Sequence, residues 1–252
     1  MNLSTSFRPE NSFGLLLIGP PLSGKTSVAM QFAKPYIIST DHKIQNAVSR
    51  IPAGKEWFYD YVDVDNGKPV PYEQQWTRAT QLLKAGCTDP NVQTVIWDNL
   101  SDLSGMLQAH VIANGGTKLI VGGEKVFEMQ HWQPFKLLMQ RAISFARGSG
   151  KMFIVCCHED TEKDEVTGVL TYKPLVPGQL RGQLGGMFTD VWRCEVTTNP
   201  GKPPTYFVRT SPTPRMALGN SLGLPQEFVF TWDEFQKHMN NFAPPVGVEK
   251  QP

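Results

Sequence analysis

The chain has 252 residues, 24 Lys and Arg against 23 Asp and Glu, and a formal net charge of +1 at pH 7, so it offers no overall electrostatic footprint for nucleic acid and any polyanion site must be local. Its 40% hydrophobic residues are enough for a substantial core and exclude wholesale disorder, while the longest apolar runs, Leu15 to Ile18 and Met152 to Cys157, fall far short of the roughly 18 residues of a membrane span. Cys87, Cys156, Cys157 and Cys194 lack the paired spacing of a zinc site and no charged-then-apolar leader opens the chain, which points to a reducing, cytoplasmic setting.

A polar arm over residues 1–12 precedes Phe13-Gly14-Leu15-Leu16-Leu17-Ile18, a continuous apolar run stopped by Gly19-Pro20-Pro21, as expected of a buried parallel strand. A helix is predicted over Thr26 to Ala33, ended by Pro35. Tyr36-Ile37-Ile38 reads as a second strand with the polar tip Ser39-Thr40-Asp41. Gln74 to Ala85 reads as a helix, with a turn over Cys87 to Asn91. Thr94-Val95-Ile96-Trp97 is a third strand, ending at Asp98. Phe135, Leu138, Met139, Ala142 and Phe145 recur at helical spacing in Pro134 to Arg147, with Pro134 in the first turn. Met152 to Cys157 is a fourth strand, ending at His158. Strands alternating with helices imply a mainly parallel sheet covered on both faces. Beyond Gly185 the pattern changes to Thr189 to Thr197 and Thr205 to Thr210, read as an antiparallel β extension, and then to a closing helix from Trp232 to Phe242. The expectation is one α/β domain over 13–242, with a Pro-containing tail over 243–252.

Gly19-Pro20-Pro21-Leu22-Ser23-Gly24-Lys25-Thr26 fits G-x-x-x-x-G-K-[ST], with a strand before it and a helix after it. Glycines let backbone N–H groups approach phosphate oxygens, and a helix N-terminus adds partial positive charge. Gly19 through Ser27 are therefore the candidate nucleoside-triphosphate residues. Lys25 is placed to reach the β- and γ-phosphates, and Thr26 to ligate Mg²⁺. The partner carboxylate should end another buried strand. Asp98 does so and is assigned to hold the ion through water, the alternative being a helix N-cap ahead of Asn99-Leu100-Ser101-Asp102.

Hydrolysis needs a group that orients or deprotonates the attacking water. Many P-loop ATPases carry a glutamate directly after the metal-site aspartate, but here that position is Asn99. Asp41, at the second-strand tip, is the best-placed acid, against the alternative of a solvated turn residue. His158, at the fourth tip, faces the same crevice and could sense the γ-phosphate, against the alternative of a hydrogen-bonded structural histidine.

These features together resemble the RecA-like ATPase core. More narrowly, they resemble the phage-encoded RecA-like nucleotide-binding proteins associated with single-strand annealing and recombination. The carrying segments are GPPLSGKT (19–26), IISTDHK (37–43), TVIWDNLSDL (94–103) and MFIVCCHEDTEKDEVTGVLTYKPLVPGQLRGQL (152–184), within a resemblance covering most of 13–232. It implies that Asp41 activates water, with aspartate in place of the commoner glutamate, and that His158 takes the place usually held by Gln or His. Basic residues near the C-terminal strands would act across a subunit interface on a neighbour's nucleotide. Arg209 and Arg215 are the candidates, with Arg181 and Lys173 competing. Where the family commonly has a further basic pair, this chain has Ala217-Leu218-Gly219-Asn220.

The resemblance further implies a homo-oligomeric ring or filament that binds single-stranded DNA through loops 114–131 and 159–186. Lys118, Lys125, Lys163, Lys173 and Arg181 would meet phosphates, and Phe127, Trp132 and Tyr172 would stack on bases. Glu159, Asp160, Glu162, Asp164 and Glu165 dilute that charge. The expected activity is Mg²⁺-dependent, DNA-stimulated ATP hydrolysis in the cytoplasm (the host's, for a phage protein), with no membrane partner and a single-strand-binding protein as a possible recruiter. The alternative is a nucleotide-gated adaptor or assembly protein with little turnover. Phosphotransfer to a small molecule ranks below both because no arginine-rich lid is present. The absence of an Asn-Lys-x-Asp motif disfavours GTP.

Overall fold

The computed structural model describes residues 13–241 apart from 52 and 116–119; the expected arm, the expected tail, Phe242 and Lys118 lie outside the described residues. The first strand, β1 (Gly14–Gly19), is buried at every position. It leads through the glycine-rich loop into α1 (Lys25–Ala29), β2 (Pro35–Ser39), α2 (Gln45–Val48) and β3 (Phe58–Tyr61). A small hairpin, β4 (Val64–Asp65) and β5 (Lys68–Pro69), precedes α3 (Tyr72–Thr88), β6 (Thr94–Asp98) and α4 (Leu100–Gly115). A second hairpin, β7 (Ile120–Val121) and β8 (Glu124–Lys125), precedes α5 (Trp132–Arg147). The chain then continues as β9 (Met152–Lys163), β10 (Leu170–Pro174), α6 (Leu180–Gln183), β11 (Asp190–Thr197), β12 (Thr205–Arg209), β13 (Glu227–Phe228) and α7 (Trp232–Asn241).

Among the described residues nine strands form one sheet in the order β13-β12-β11-β1-β9-β6-β2-β3, with β10 paired to β9. The six strands from β11 to β3 are mutually parallel, and β12, β13 and β10 are antiparallel additions. This is the mainly parallel α/β sheet expected, with an antiparallel C-terminal extension. The glycine-rich loop follows a central strand, and β9 lies between that strand and β6.

Side chains alternate across each strand, so both faces acquire a core. Leu16, Ile18, Trp97, Phe153 and Val155 face α3, α4 and α5, whereas Leu15, Leu17, Ile96, Ile154 and Trp192 face α1 and α7. Full burial of each such side chain is worth about 1.5–3 kcal/mol, so this two-sided core supplies the drive that fixes strand register.

The structure corrects three expected boundaries. The helix predicted over 26–33 is only α1; residues beyond it close as tight turns through Gln31 N–H to Val28 O and Phe32 N–H to Ala29 O, which put Phe32 into the core with no exposed surface. The helix predicted over 74–85 extends at both ends and absorbs Cys87. The fourth strand does not end at His158: it runs on to Lys163 and returns as β10, so most of the segment expected as loop 159–186 is a hairpin. Trp57-Phe58-Tyr59 lies at the exposed sheet edge, with Phe58 39% and Tyr59 52% accessible and only Trp57 packed against the core.

Candidate nucleotide site

The tips of β1, β2 and β6 converge at the carboxyl end of the sheet with the point where β9 leaves the parallel ladder. Register places Gly19 beside His158, and Ser39 beside Asp98, which in turn lies beside Cys156. The loop after β1 is tightly constrained. A Cβ on Gly19 would come within 2.5 Å of the Cys194 carbonyl oxygen, and Gly24 adopts φ +90°, in the left-handed region that favours glycine. Pro20 and Pro21 carry no N–H, so phosphate contacts from this loop must come from the groups after them. Lys25 is 6% accessible, and its Nζ donates to Gly19 O at 2.9 Å and Pro20 O at 2.8 Å. The ammonium therefore waits folded over the loop that would receive a phosphate.

Thr26 Oγ1 donates to Asp98 Oδ2 at 2.6 Å. Burial pushes the Asp98 carboxyl up to about 6, with the Asp41 charge adding to the shift, while the hydrogen bond from Thr26 and the Lys25 charge oppose it. The N-cap alternative for Asp98 is filled by its neighbour, since Asn99 Oδ1 accepts the Asp102 N–H at 2.8 Å. A hydroxyl and a carboxylate are hard oxygen donors suited to Mg²⁺, which usually keeps waters and takes substrate phosphates rather than an all-protein cage. Two buried hydroxyls support the fit: among the described residues Ser23 Oγ, in the loop, and Ser39 Oγ, beside Asp98 in the sheet register, have no protein partner. Water around an ion would satisfy such groups.

His158 Nδ1 lies 3.5 Å from Lys25 Nζ, and the His158 N–H donates to Ser101 Oγ at 3.0 Å. Burial first, and then the Lys25 charge, hold its imidazole below the ordinary histidine range, so it is neutral at pH 7. Asp41 stands just past β2, where its charge pushes the Asp98 carboxyl up and acts on His158 in the same direction against the larger effect of burial. Its Oδ2 pairs with Lys43 Nζ at 3.1 Å. Lys25, Thr26, Asp41, Asp98 and His158 are thus gathered at one end of the sheet.

The basic candidates separate sharply. Arg209 is tied to Glu195 at 3.0 Å and to Glu227 at 2.7 Å. Arg181 is tied to Asp160 and Glu162, and Lys173 to Glu162. Arg215 is exposed and its guanidinium has no partner among the described residues. The expected stacking platforms are also engaged: Phe127 and Trp132 pack against each other at 4.8 Å, and the Tyr172 ring lies under the Arg193 guanidinium at 4.1 Å. Lys125 and Lys163 remain exposed.

Sequence reasoning missed Arg50 and Tyr206. The Arg50 guanidinium stacks 3.8 Å from the centre of the Tyr206 ring, which also abuts Gly24. Beside this pair a cavity of about 330 Å³ opens between Ser27, Gln31 and Phe207. The two residues are separated by 156 positions and no local pattern joins them.

A glycine-rich loop with lysine and threonine at its end, set against a buried aspartate on a mainly parallel sheet, defines a P-loop nucleotide-binding protein. The chain belongs to the AAA domain family, whose sequence profile matches residues 13–222. Proteins of this kind are nucleotide-binding ATPases. Among solved structures the chain is similar to the RadB recombinase (15% identity, TM-score 0.41, covering 79% of this chain and 80% of that one). It is also similar to a KaiC-like protein from the hyperthermophilic archaeon Pyrococcus horikoshii OT3 (12% identity, TM-score 0.40, 79% of each chain). No curated protein matches it. Among the described residues no helix is long and apolar enough to cross a membrane.

Proposed function

We propose that the protein binds and hydrolyses Mg-ATP and couples turnover to single-stranded DNA as a homo-oligomer. The observation that carries the ATPase reading is the pairing of Thr26 with Asp98 at 2.6 Å beside Lys25, whose Nζ is held by two loop carbonyls. Lys25 exchanges those carbonyls for β- and γ-phosphate oxygens, and the base packs in the cavity beside Arg50 and Tyr206. Mg²⁺ held by Thr26 and, through water, by Asp98 would neutralise charge on the phosphates. Asp41, released from Lys43, takes the proton of a water whose oxygen bonds to the γ-phosphorus as the bond to the β-phosphate oxygen breaks. Neutral His158, beside Lys25, registers the presence of the γ-phosphate and passes its loss into the β9–β10 hairpin. Arg215, unpaired and exposed, is the residue of choice for a neighbour's nucleotide. The DNA part of this reading draws on the resemblance of the motifs and on exposed Lys125 and Lys163.

A second reading, a nucleotide-gated assembly protein with little turnover, is favoured by two observations. Asn99 stands where a glutamate would follow the metal-site aspartate, and Asp41 is closed onto Lys43. Steady-state phosphate release with Mg-ATP, with and without single-stranded DNA, beside Lys25→Ala, separates the two. The first reading expects DNA-stimulated release that the substitution abolishes. ATP binding without release under either condition selects the second. Release indifferent to DNA removes the DNA partner and leaves the ATPase.

A further inference from the structure

The tip that carries Asp41 is tied to the start of α4 by a closed set of hydrogen bonds. Thr40 N–H donates to the Asp98 carbonyl at 2.8 Å, and Asn99 N–H donates to Thr40 Oγ1 at 3.0 Å. A hydroxyl has one proton to give. Thr40 Oγ1 stands 3.1 Å from Asp102 Oδ2 and 3.3 Å from the Asp98 carbonyl oxygen; the carboxylate is nearer and, being charged, the stronger acceptor. Asp102 Oδ2 also accepts from Asn99 Nδ2 at 2.8 Å, and Asn99 Oδ1 accepts the Asp102 N–H at 2.8 Å.

In a capping box the side chain three residues into the helix reaches back to the N-cap N–H. Here Asp102 holds that helix position and Asn99 is the cap, but the Thr40 hydroxyl is inserted between the Asp102 carboxylate and the Asn99 N–H. A device that normally closes one helix has been opened to hold a second strand tip. Among the described residues the Asp41 carboxylate is bonded only to Lys43, two residues away: Oδ1 accepts the Lys43 N–H at 3.2 Å and Oδ2 pairs with its Nζ, on a side chain 61% exposed. Its position relative to Asp98 therefore depends on where Thr40 is held.

We propose that Asp102 and Thr40 are positioning residues for Asp41, with Asp102 acting through the Thr40 hydroxyl to set the distance between the Asp41 carboxylate and the Asp98 side of the site. The inference rests on the reading of Asp41 as the group that activates water. Misplacement of such a group by an ångström costs on the order of a hundredfold in rate, so a lost tether should register in turnover before it registers in binding.

The test uses the full chain in single-turnover hydrolysis of Mg-ATP, with nucleotide affinity and thermal unfolding measured in parallel. Thr40→Val removes the tether and leaves the Asn99–Asp102 pair intact. The expected result is a rate lower by about tenfold or more, with nucleotide Kd within about twofold of wild type, and recovery in Thr40→Ser. Asp102→Ala leaves the Asn99 cap of its N–H in place and should give the same split, which keeps the idea testable if one variant folds poorly. A Thr40→Val protein that turns over at the wild-type rate while its melting point falls would assign the network to helix capping alone and overturn the proposal. So would a parallel loss of nucleotide affinity. Wild-type protein that binds ATP and never hydrolyses it would instead remove the reading of Asp41 on which the proposal stands.

Discussion

Asp98 is a carboxylate kept in a place that disfavours its charge. Its ordinary pKa of 3.8 rises to about 6 in the folded protein, chiefly through burial. The sign of the consequence is fixed by which state holds more protons. Between about pH 4 and pH 6 the folded chain retains a proton that the unfolded chain has lost, so stability falls as pH rises through that window and is level above it. A two-unit shift corresponds to a loss on the order of 2–3 kcal/mol. Asp98→Asn has no proton to lose there and can still accept from Thr26. In urea denaturation without divalent metal it should match wild type near pH 4 and exceed it by about that amount near pH 8. Equal stabilities at both pH values would show that Asp98 is not strained by burial. The same variant should lose Mg²⁺-dependent turnover, the usual exchange of stability for function at a site built around a buried charge.

At the scale of elements, the parts legible in the sequence were those with a local signal. The phosphate loop was readable because its lysine, threonine and glycines are contiguous, and β1, β2, β6 and the apolar half of β9 because each is an uninterrupted apolar run. The far half of β9 was not. From Glu159 to Lys163 the apolar run gives way to charged and polar residues, and strand character comes from pairing with β10, whose Lys173 meets Glu162, as does Arg181 from the following α6. Glu162, turned to face both, explains why these cations, free when read along the chain, are occupied in the fold. Thr40, Asn99 and Asp102 were equally opaque, because the hydrogen bond that joins the second tip to α4 spans 62 positions. The closing helix was expected over Trp232 to Phe242, but nothing along the chain named its partners. Phe235 is fully buried, with ring centroids 4.8 Å from Phe32, 5.6 Å from Phe13 and 5.8 Å from Trp192. Phe235→Ala should cost about 3–5 kcal/mol while leaving a single unfolding transition. A cost below about 1 kcal/mol, or a separate early transition, would mean that α7 does not belong to the same cooperative unit as β1 and β11.

At the scale of the whole molecule, the proposed use of Arg215 requires a second subunit: its exposed side chain shares a cavity with Tyr172 of β10 and Glu195 of β11, and its guanidinium has no ion-pair or hydrogen-bond partner among the described residues. Arg209, which shared the expectation, is held between Glu195 and Glu227 in an ion-pair chain that continues through Arg193 to Glu159. Freeing it for a neighbour would leave Glu227 without its cation and Glu195 with Arg193 alone, whereas the Arg215 side chain has no bond to break among the described residues. A head-to-tail interface makes the two halves of each site come from different chains, and that arrangement can be tested by mixing. Lys25→Ala destroys the nucleotide half and keeps Arg215; Arg215→Ala keeps the nucleotide half and removes the contribution in trans. Each variant alone should be nearly inactive in phosphate release under assembling conditions. Mixed in equal amounts they should recover a fraction of wild-type activity, because an intact Lys25 site then meets an intact Arg215 in some interfaces. The recovery should grow with protein concentration, since assembly follows mass action. Arg215→Ala that retains full activity by itself would remove Arg215 from the mechanism, and two inactive variants that stay inactive on mixing would place its contribution within one chain.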